Sequence, residues 1–328
     1  MNIVMFSRRY SPHVGGVESH VGKLSEEIIK AGHNIKVITE EKSSTRASKE
    51  IINKVMVYRI PLYGVDENQK KWLIWKWLWK NRYIWQDADI LHIHDVFYWM
   101  LPFRVLGMTS RIYTTFHGWE GIYPPTRSAR LQKQLAQVLS NGTIAVGDYI
   151  GKWYGIKPNY VVYGGTDQKE LKETKSNNIL VLGRLSEDND IDIVLSGLKN
   201  MGTKAKIVFV GDGEYRIECE KIGTVTGMVN DISPYLGRAK IVITSSYLSI
   251  LNSLGAGRSV VSVYGNPLKK DYLMRSPFGQ LIEVAADAKE LSMVLSNKFK
   301  KQLLINGQFW AEKQTWSKIA NTYLNLWK

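Results

Sequence analysis

Short apolar runs rich in isoleucine and valine alternate along the chain with longer stretches in which apolar residues recur at helical spacing. After the first run, Val17, Val21, Leu24 and Ile28 follow the helical repeat, and Gly32 comes just after this pattern ends. Because strand and helix patterns alternate repeatedly, we predict parallel sheets that are covered on both faces. The predicted strands are Asn2–Phe6, Ile35–Thr39, Val55–Ile60, Ile90–His94, Ile112–Phe116, Thr143–Val146, Tyr160–Tyr163, Ile179–Gly183, Lys206–Val210, Ile241–Thr244 and Ser259–Val263.

The strand pattern starts again near residue 178, after a polar connection at Gly164–Lys175. A chain of 328 residues also exceeds the usual size of one hydrophobic core. We therefore predict two Rossmann-like, doubly wound α/β domains joined by a hinge, with ligands at the carboxyl ends of the strands in a cleft between the sheets. Near the C terminus, Trp310–Lys328 has the apolar spacing of one amphipathic helix.

The composition, 44% hydrophobic and 23% charged, is that of an ordinary globular protein, and no apolar stretch is long enough to span a membrane. The first residues lack a basic region before their apolar run, which predicts a strand and not a signal peptide. Cys219 is the only cysteine, which excludes an internal disulfide and favours the cytosol. The formal charge of +14 predicts an anionic partner: nucleic acid, acidic lipid or a phosphorylated small molecule.

The turn after the first strand contains two arginines, Arg8 and Arg9, and the pair Gly15-Gly16 at the start of the predicted helix. Paired glycines let the backbone approach a ligand, and the amides of a helix N terminus bind anions. This pattern favours an anion site, although a plain tight turn explains the two glycines equally well.

Several further motifs follow one another in order along the chain. They are Tyr10–Glu18, Ala31–His33, His92–His94, Thr114–Gly118, Ala145–Ile150, Gly165–Asp167, Val181–Leu185, Val208–Glu214, Gly257–Val261 and Thr315–Ala320. This ordered set resembles glycosyltransferase family 4, whose members are retaining, nucleotide-sugar-dependent enzymes of the GT-B architecture. The resemblance implies an acceptor-side domain at residues 1–165, a nucleotide-sugar-binding domain at 166–308, and a C-terminal helix at 309–328 that packs back on the first domain.

The resemblance also implies roles for individual residues. Gly15 and Gly16 would bring backbone amides to the donor diphosphate, and Arg184 would neutralise that diphosphate as it leaves. His117 would lie beside the transferred sugar; without the resemblance, it would be interpreted as a structural histidine at a strand end. The other implied donor-binding residues are Gly183, Gly211, Asp212, Gly213, Ser246, Tyr247, Leu248 and Asn252. The implied reaction needs no bound metal and no cofactor besides the donor substrate.

Three charged positions of the family pattern are missing from this sequence. Asn189 stands where the family has a lysine on the diphosphate, and Asn252 stands where one of two donor-site glutamates is expected. The sequence has no acidic residue between Asp231 and Asp271 that could replace them. Losing one such contact typically costs about 3 kcal/mol, or roughly a hundredfold in rate. Basic residues that are candidates for supplying the missing charge are Arg258, Lys269 and Lys270.

The stretch Lys70–Trp85 combines aromatic residues with five positive charges and no acidic residue. Three interpretations stay open. The stretch docks on an anionic membrane, it lines the acceptor site, or it is a buried helix whose lysines extend to solvent at its edges. The residues in question are Lys71, Trp72, Trp75, Lys76, Trp79 and Lys80.

We therefore predict a retaining, metal-independent glycosyltransferase of glycan biosynthesis that moves a hexose from a nucleotide-diphosphate sugar to a glycan or lipid-linked acceptor. The alternative is a catalytically impaired family member that binds nucleotide sugar or glycan as a partner or regulatory subunit. No nucleic-acid partner is expected, because no binding motif accompanies the charge. The expected location is cytoplasmic, with a peripheral position on the inner face of the membrane if the basic aromatic stretch docks there.

Overall fold

The chain forms two compact units in the computed structural model, which describes residues 1–109, 111–118, 121–172, 176–201, 205–297 and 299–328. Unit 1 comprises Met1–Val162 together with Trp316–Lys328, and unit 2 comprises Tyr163–Thr315. The predicted domain boundaries follow residues 165 and 308, whereas the units change after Val162 and Thr315. The end of the predicted hinge, residues 173–175, lies outside the described part of the chain.

Unit 1 is built on an eight-stranded sheet in the order β3-β4-β2-β1-β5-β6-β7-β8. Its neighbouring strands are parallel except for the antiparallel pair β3 and β4. The strands are β1 (Asn2–Ser7), β2 (Asn34–Glu41), β3 (Lys49–Ile52), β4 (Val55–Pro61), β5 (Ile90–His94), β6 (Ile112–Phe116), β7 (Gly142–Val146) and β8 (Tyr160–Val162). The helices of unit 1 that precede unit 2 in the sequence are α1 (Gly16–Lys30), α2 (Glu67–Lys80), α3 (Leu101–Val105), α4 (Arg127–Leu139) and α5 (Tyr149–Tyr154).

Unit 2 is built on a six-stranded parallel sheet in the order β11-β10-β9-β12-β13-β14. Its strands are β9 (Asn178–Leu182), β10 (Ile207–Val210), β11 (Thr224–Val225), β12 (Ala239–Ile243), β13 (Ser259–Val263) and β14 (Glu283–Ala285). Its helices are α6 (Ile191–Lys199), α7 (Arg216–Glu220), α8 (Ser233–Arg238), α9 (Tyr247–Gly255), α10 (Pro267–Met274), α11 (Ala288–Ser296) and α12 (Lys301–Glu312). The last helix of the chain, α13 (Trp316–Leu326), belongs to unit 1.

The prediction of two doubly wound parallel-sheet α/β domains is confirmed. The central strands β5, β6 and β7 are buried along their whole length, as expected for parallel strands covered by helices on both faces. Strand order reverses between β1 and β5 in unit 1 and between β9 and β12 in unit 2. Ligands of such sheets bind beyond the carboxyl ends of the strands at these points.

The prediction of one helix over Trp310–Lys328 is wrong. α12 ends at Glu312 and α13 starts at Trp316, so the segment is interrupted. The carbonyl of Gln314, which one continuous helix would use internally, instead accepts a hydrogen bond from the Thr166 N–H at 2.8 Å. The described residues contain no helix long and apolar enough to cross a membrane.

Candidate functional site

The carboxyl ends of β5 and β6 bring three charged or polar side chains together in unit 1. His117 follows β6, and its backbone N–H donates to both carboxylate oxygens of Asp95, at 3.0 and 3.2 Å. Asp95 follows β5 with a left-handed backbone, at φ 61°. The Lys133 ammonium lies 4.0 Å from the same carboxylate. An imidazole, a carboxylate and an ammonium therefore meet at the edge of the sheet where a doubly wound domain binds its ligand.

A chain of hydrogen bonds runs through the buried histidines of unit 1, and an indole fixes its direction. The Trp327 indole can only donate, and its N–H donates to His92 Nδ1 at 3.0 Å. The neutral His92 ring then donates from Nε2 to Thr115 Oγ1 at 2.7 Å. The Thr115 hydroxyl donates to the Tyr323 hydroxyl at 3.0 Å, and the Tyr323 hydroxyl donates to His20 Nε2 at 3.0 Å. Two side chains, Tyr323 on α13 and Trp327 just after this helix, thereby set the tautomers of His20 and His92.

A separate hydrogen bond of 2.8 Å joins His94 Nδ1 to His117 Nε2. His94 Nε2 is buried and has no hydrogen-bond partner among the described residues. Buried N–H groups without an acceptor are rarer and more costly than an unused lone pair, so we place the His94 proton on Nδ1, from which it is donated to His117. Burial, followed by the nearby Lys133 cation, lowers the pKa of His117 to about 3. His117 is therefore neutral near pH 7 and carries its single proton on Nδ1.

The two glycines that open α1 differ in their surroundings. Gly15 has an extended backbone, which any residue adopts, but a β-carbon there would collide with the Glu18 carboxylate. Gly16 faces open space. No side chain caps α1, so its first amides are able to bind an anion, although the Glu18 carboxylate in the first turn competes for the same positive end of the helix.

Arg184 follows β9, but its side chain is 67% exposed and is paired with a carboxylate of its own loop. The guanidinium donates to Asp188 at 2.8 Å. Asn189, which stands in place of the family lysine, donates from its side chain to the Arg184 carbonyl at 3.0 Å. The carboxylates on the segments that follow β9 and β10 belong to Glu187, Asp188, Asp190, Asp212 and Glu214. A diphosphate at this edge would have to displace Asp188 from Arg184 and would meet further negative charge.

The two glycines that follow β10, Gly211 and Gly213, are required for backbone packing. Gly211 has φ 152°, and a β-carbon on it would overlap the Gly183 carbonyl. A β-carbon on Gly213 would collide with the Leu185 backbone, and the Leu185 N–H donates to the Asp212 carbonyl at 3.0 Å. Two loops that touch through their main chains explain Gly211 and Gly213 without a ligand.

Two of the predicted donor residues at the start of α9 are engaged within unit 2. Tyr247 is 5% exposed, its hydroxyl donates to the Tyr272 carbonyl at 2.6 Å, and the two rings stack with centroids 4.0 Å apart. Ser246 donates to the Ser249 hydroxyl at 2.8 Å. Tyr247 therefore presents almost no surface to a ligand, while Ser246 stays partly exposed.

Two further predicted donor residues, Leu248 and Asn252, lie further along α9, next to the segment that follows β8. Asn252 accepts a hydrogen bond from the Thr166 hydroxyl at 2.6 Å through its side-chain oxygen, so its amide N–H groups are what it can offer to a ribose hydroxyl. The Leu248 side chain lies where a β-carbon on Gly164 would stand. Gly164 has φ 91°, which also favours glycine there.

The candidates for replacing the missing positive charge are mostly engaged elsewhere. Arg258 is 4% exposed and donates to two backbone carbonyls, both at 2.8 Å, so it is a structural residue. Lys269 forms a buried ion pair with Asp190, at 2.7 Å. Burial raises the pKa of Asp190, and Lys269 opposes this shift. Lys270 is exposed, with its ammonium 5.8 Å from the Tyr264 ring centroid. Only Lys270 of the three is available to a ligand in this structure.

The basic aromatic stretch forms α2 and a short 3₁₀ turn at Arg82–Ile84. Its side chains divide between two faces, with Lys70, Ile74 and Leu78 buried and Trp72 and Trp79 exposed by 70% and 51%. Lys71, Lys76 and Lys80 are exposed, and Trp75 is half-buried. The interpretation of α2 as a buried helix is wrong, because a full outer face of this helix is open to solvent.

Asp95 and Lys133 were missed by the sequence analysis although they surround His117. Asp95 directly follows the predicted strand Ile90–His94, so its position at a strand end was a usable signal. Lys133 is buried among the Phe116 and Tyr154 rings, with its ammonium 4.6 Å from the Tyr154 centroid. Its position on α4 gave no comparable signal, because only the packing of α4 on the sheet brings it to Asp95.

Comparison with known proteins shows which proteins the chain is similar to. Residues 14–170 match the family model "Glycosyltransferase Family 4". The chain is 24% identical over 240 residues to the phosphatidylinositol N-acetylglucosaminyltransferase gpi3 subunit of Schizosaccharomyces pombe, covering 66% of this chain and 52% of that protein. It is 30% identical over 98 residues to one of the human phosphatidylinositol N-acetylglucosaminyltransferase subunits, covering 29% of this chain and 20% of that protein. The chain thus spans about half the length of the first relative and much less of the second.

Solved structures share the fold over almost the whole chain. Sucrose-phosphate synthase from Thermosynechococcus elongatus superposes with a TM-score of 0.79 at 14% identity, covering 99% of this chain and 98% of that one. Anabaena HepE in complex with UDP and glucose superposes with a TM-score of 0.71 at 13% identity, covering 98% of both chains. At such identities the likeness shows the fold alone. By the match over residues 14–170 and the order of its motifs the chain is similar to glycosyltransferase family 4, and its two-unit fold is that of the GT-B glycosyltransferases.

Proposed function

We propose that this protein transfers a hexose from a nucleoside-diphosphate donor to a glycan or lipid-linked acceptor, with retention of configuration. The observation that carries the proposal is the His94–His117 pair beside Asp95, at the carboxyl edge of the unit 1 sheet. In the tautomer deduced above, His117 offers an N–H from Nδ1, and its Nε2 lone pair is occupied by His94. His117 is therefore suited to donate a hydrogen bond to a donor-sugar hydroxyl and unsuited to act as a general base.

Within unit 2, the leaving diphosphate is assigned to Arg184. A diphosphate needs no proton to leave, so the protein has to supply positive charge and oriented amides to it. Within the described chain no group of three or more His, Cys, Asp or Glu side chains is arranged to hold a metal ion. Metal-independent transfer and retention stay predictions.

The comparisons suggest what to test as donor and acceptor. Solved structures of the same fold contain UDP or UDP-2-fluoro glucose, and the curated relatives are named for phosphatidylinositol and N-acetylglucosamine. We therefore propose a UDP-sugar as donor, with UDP-glucose and UDP-N-acetylglucosamine as the first probes, and a phosphatidylinositol-containing lipid as the first acceptor.

A thermal-shift titration followed by a turnover assay tests the proposal. A donor held at about a hundred times its Kd stabilises the folded form by about 2.7 kcal/mol, which raises Tm by several degrees. The rise should be lost in Arg184→Ala and kept in Arg275→Ala, which removes an exposed arginine at the end of α10. No shift with any nucleotide sugar would contradict the proposal.

A second function is favoured by one specific observation, the pairing of Arg184 with Asp188 among further carboxylates. The carboxylates would repel a diphosphate, and Asp188 occupies the guanidinium that would bind it. The relatives are also named as subunits. In this alternative the chain is a partner in a larger enzyme and binds nucleotide sugar or glycan without turnover. A donor-dependent thermal shift without UDP release, in the presence of acceptor lipid, would identify it.

A further inference from the structure

The outer face of α2 carries aromatic and cationic side chains together. Trp72, Lys76 and Trp79 follow one another at intervals of four and three residues, which places them on one face of the helix. Lys71 and Lys80 flank this face and are exposed. The helix buries only Lys70, Ile74 and Leu78. We call the outward set, Lys71, Trp72, Lys76, Trp79 and Lys80, the α2 face.

The α2 face is held rigidly by contacts on the inner side of the helix. The Lys70 ammonium forms a buried ion pair with Glu40 at 2.7 Å. The Trp75 indole donates to the Tyr98 carbonyl at 2.8 Å, and the Trp85 indole donates to the Leu78 carbonyl at 3.1 Å. A partner that binds this face therefore finds the helix already formed and fixed, so little ordering of the backbone is needed on binding.

The charges on this face have no acidic partners within the described chain. Among the described residues, no carboxylate forms an ion pair with Lys71, Lys76, Lys80 or Arg82, and the sequence has no acidic residue from 68 to 86. The Lys71 ammonium lies 5.2 Å from the Trp75 centroid, and the Arg82 guanidinium 5.6 Å from that of Trp79. A surface of this charge is complementary to an anionic one.

We propose that the α2 face docks on an anionic lipid bilayer, with Trp72 and Trp79 at headgroup depth and the lysines on lipid phosphates. Tryptophan is enriched at the membrane–water interface, where its ring is buried and its N–H stays hydrated. Lysine next to it gains from the negative surface potential of the bilayer. Protein–protein interfaces are depleted in lysine, so the mixture of lysine and tryptophan favours lipid over a protein partner.

Vesicle flotation of the full chain, without donor or acceptor, tests this proposal independently of any transfer activity. At low salt the protein should float with phosphatidylcholine vesicles that contain phosphatidylglycerol, and much less with pure phosphatidylcholine. Each cation near the bilayer contributes roughly fivefold to the partition coefficient. The variant K76Q/K80Q should therefore bind about 25-fold more weakly, and W72S/W79S should also be released.

Two matched variants control for charge and for aromatic content elsewhere. K199Q/K221Q makes the same charge change at exposed lysines of unit 2, and F309S removes an aromatic ring that is 60% exposed. Both should float like the unaltered chain. The proposal is overturned if the unaltered chain stays with the unbound fraction at low salt, or if both α2 variants float as well as their controls. A third outcome also overturns the proposal: W72S/W79S changes the oligomeric state of the lipid-free protein but does not change flotation. In that case the α2 face binds protein.

Discussion

Which nitrogen of His117 carries the proton depends on one neighbour. Among the described residues His94 has a single hydrogen-bond acceptor, so its proton goes to His117 Nε2, and His117 is left with a donor at Nδ1. His94 is thus a positioning residue: it decides whether His117 donates or accepts toward a ligand, without touching that ligand itself.

Replacing His94 with phenylalanine removes this donor while filling most of the same space. In the unaltered chain we expect ¹H–¹⁵N spectra of the histidine rings to show a protonated Nδ1 and a bare Nε2 for His117. In His94→Phe both tautomers should appear, and any transferase activity should fall by about tenfold to a hundredfold. His13→Phe, at an exposed histidine, should leave the His117 signals unchanged. A protonated Nε2 in the unaltered chain would refute the assignment.

Asp188 is the residue that most directly limits Arg184 as a phosphate ligand. Asp188→Asn removes one negative charge and weakens the 2.8 Å ion pair with Arg184, so UDP should bind about fivefold more tightly, corresponding to about 1 kcal/mol. Asp87→Asn makes the same charge change on the exposed surface of unit 1 and should have no such effect. Calorimetric titration with UDP measures both. Equal or weaker binding in Asp188→Asn would mean that UDP does not use Arg184.

At the level of helices and strands, the sequence predicted those elements that have a strong pattern of their own. The strands Ile90–His94, Ile112–Phe116 and Ser259–Val263 were predicted to the residue, because they are buried runs in parallel sheets. β3, β11 and β14 were missed, since all three are short strands at sheet edges and contain few apolar residues. Their pairing depends on neighbours that local sequence does not show.

The candidate site was predictable only in part, because the sequence shows strand ends but not the packing that brings other residues to them. His117 and Arg184 lie beyond strand ends, which the motif order indicated. Asp95 and Lys133 belong to the same cluster, but their contact requires the packing of α4 against the sheet. The pairing of Arg184 with Asp188 depends on the side-chain geometry of one loop, so composition alone could not decide it.

Two glycine variants separate the structural glycines from those open to a ligand. Gly211→Ala places a β-carbon on the Gly183 carbonyl in a backbone that only glycine adopts easily, and should destabilise unit 2 by about 3 kcal/mol. Gly16→Ala meets open space at a helix start and should change the free energy of unfolding by less than about 1 kcal/mol. Urea unfolding measures both values. If Gly16→Ala keeps its stability and loses UDP binding, the amide role of α1 is supported.

Across the whole molecule, histidine is confined to unit 1. All six histidines lie within residues 1–162, and four of them, His20, His92, His94 and His117, have pKa values lowered by burial. A histidine that is neutral in the folded state but binds a proton when unfolded costs stability as pH falls below about 6.5. Unit 2 contains no histidine and is free of this penalty.

Lowering the pH from 7 to about 5.5 should therefore destabilise unit 1 by about 1 kcal/mol for each buried histidine, or about 4 kcal/mol together. Tryptophan fluorescence reports this transition, since Trp310 is the only tryptophan of unit 2 among the eleven of the chain. The fluorescence midpoint in urea should fall steeply with acidification. A midpoint that stays constant from pH 7 to 5.5 would show that the buried histidines are not neutral in the folded protein.

The assignment of α13 to unit 1 has a consequence for biosynthesis. Unit 2 is encoded as one uninterrupted segment, whereas unit 1 is discontinuous and receives its closing helix from codons that follow all of unit 2. On the ribosome, the nascent chain holds His92 and His20 long before Trp327 and Tyr323 arrive to hydrogen-bond them. Unit 2 is thus able to mature during translation, while the first unit to be synthesised is the last to be completed.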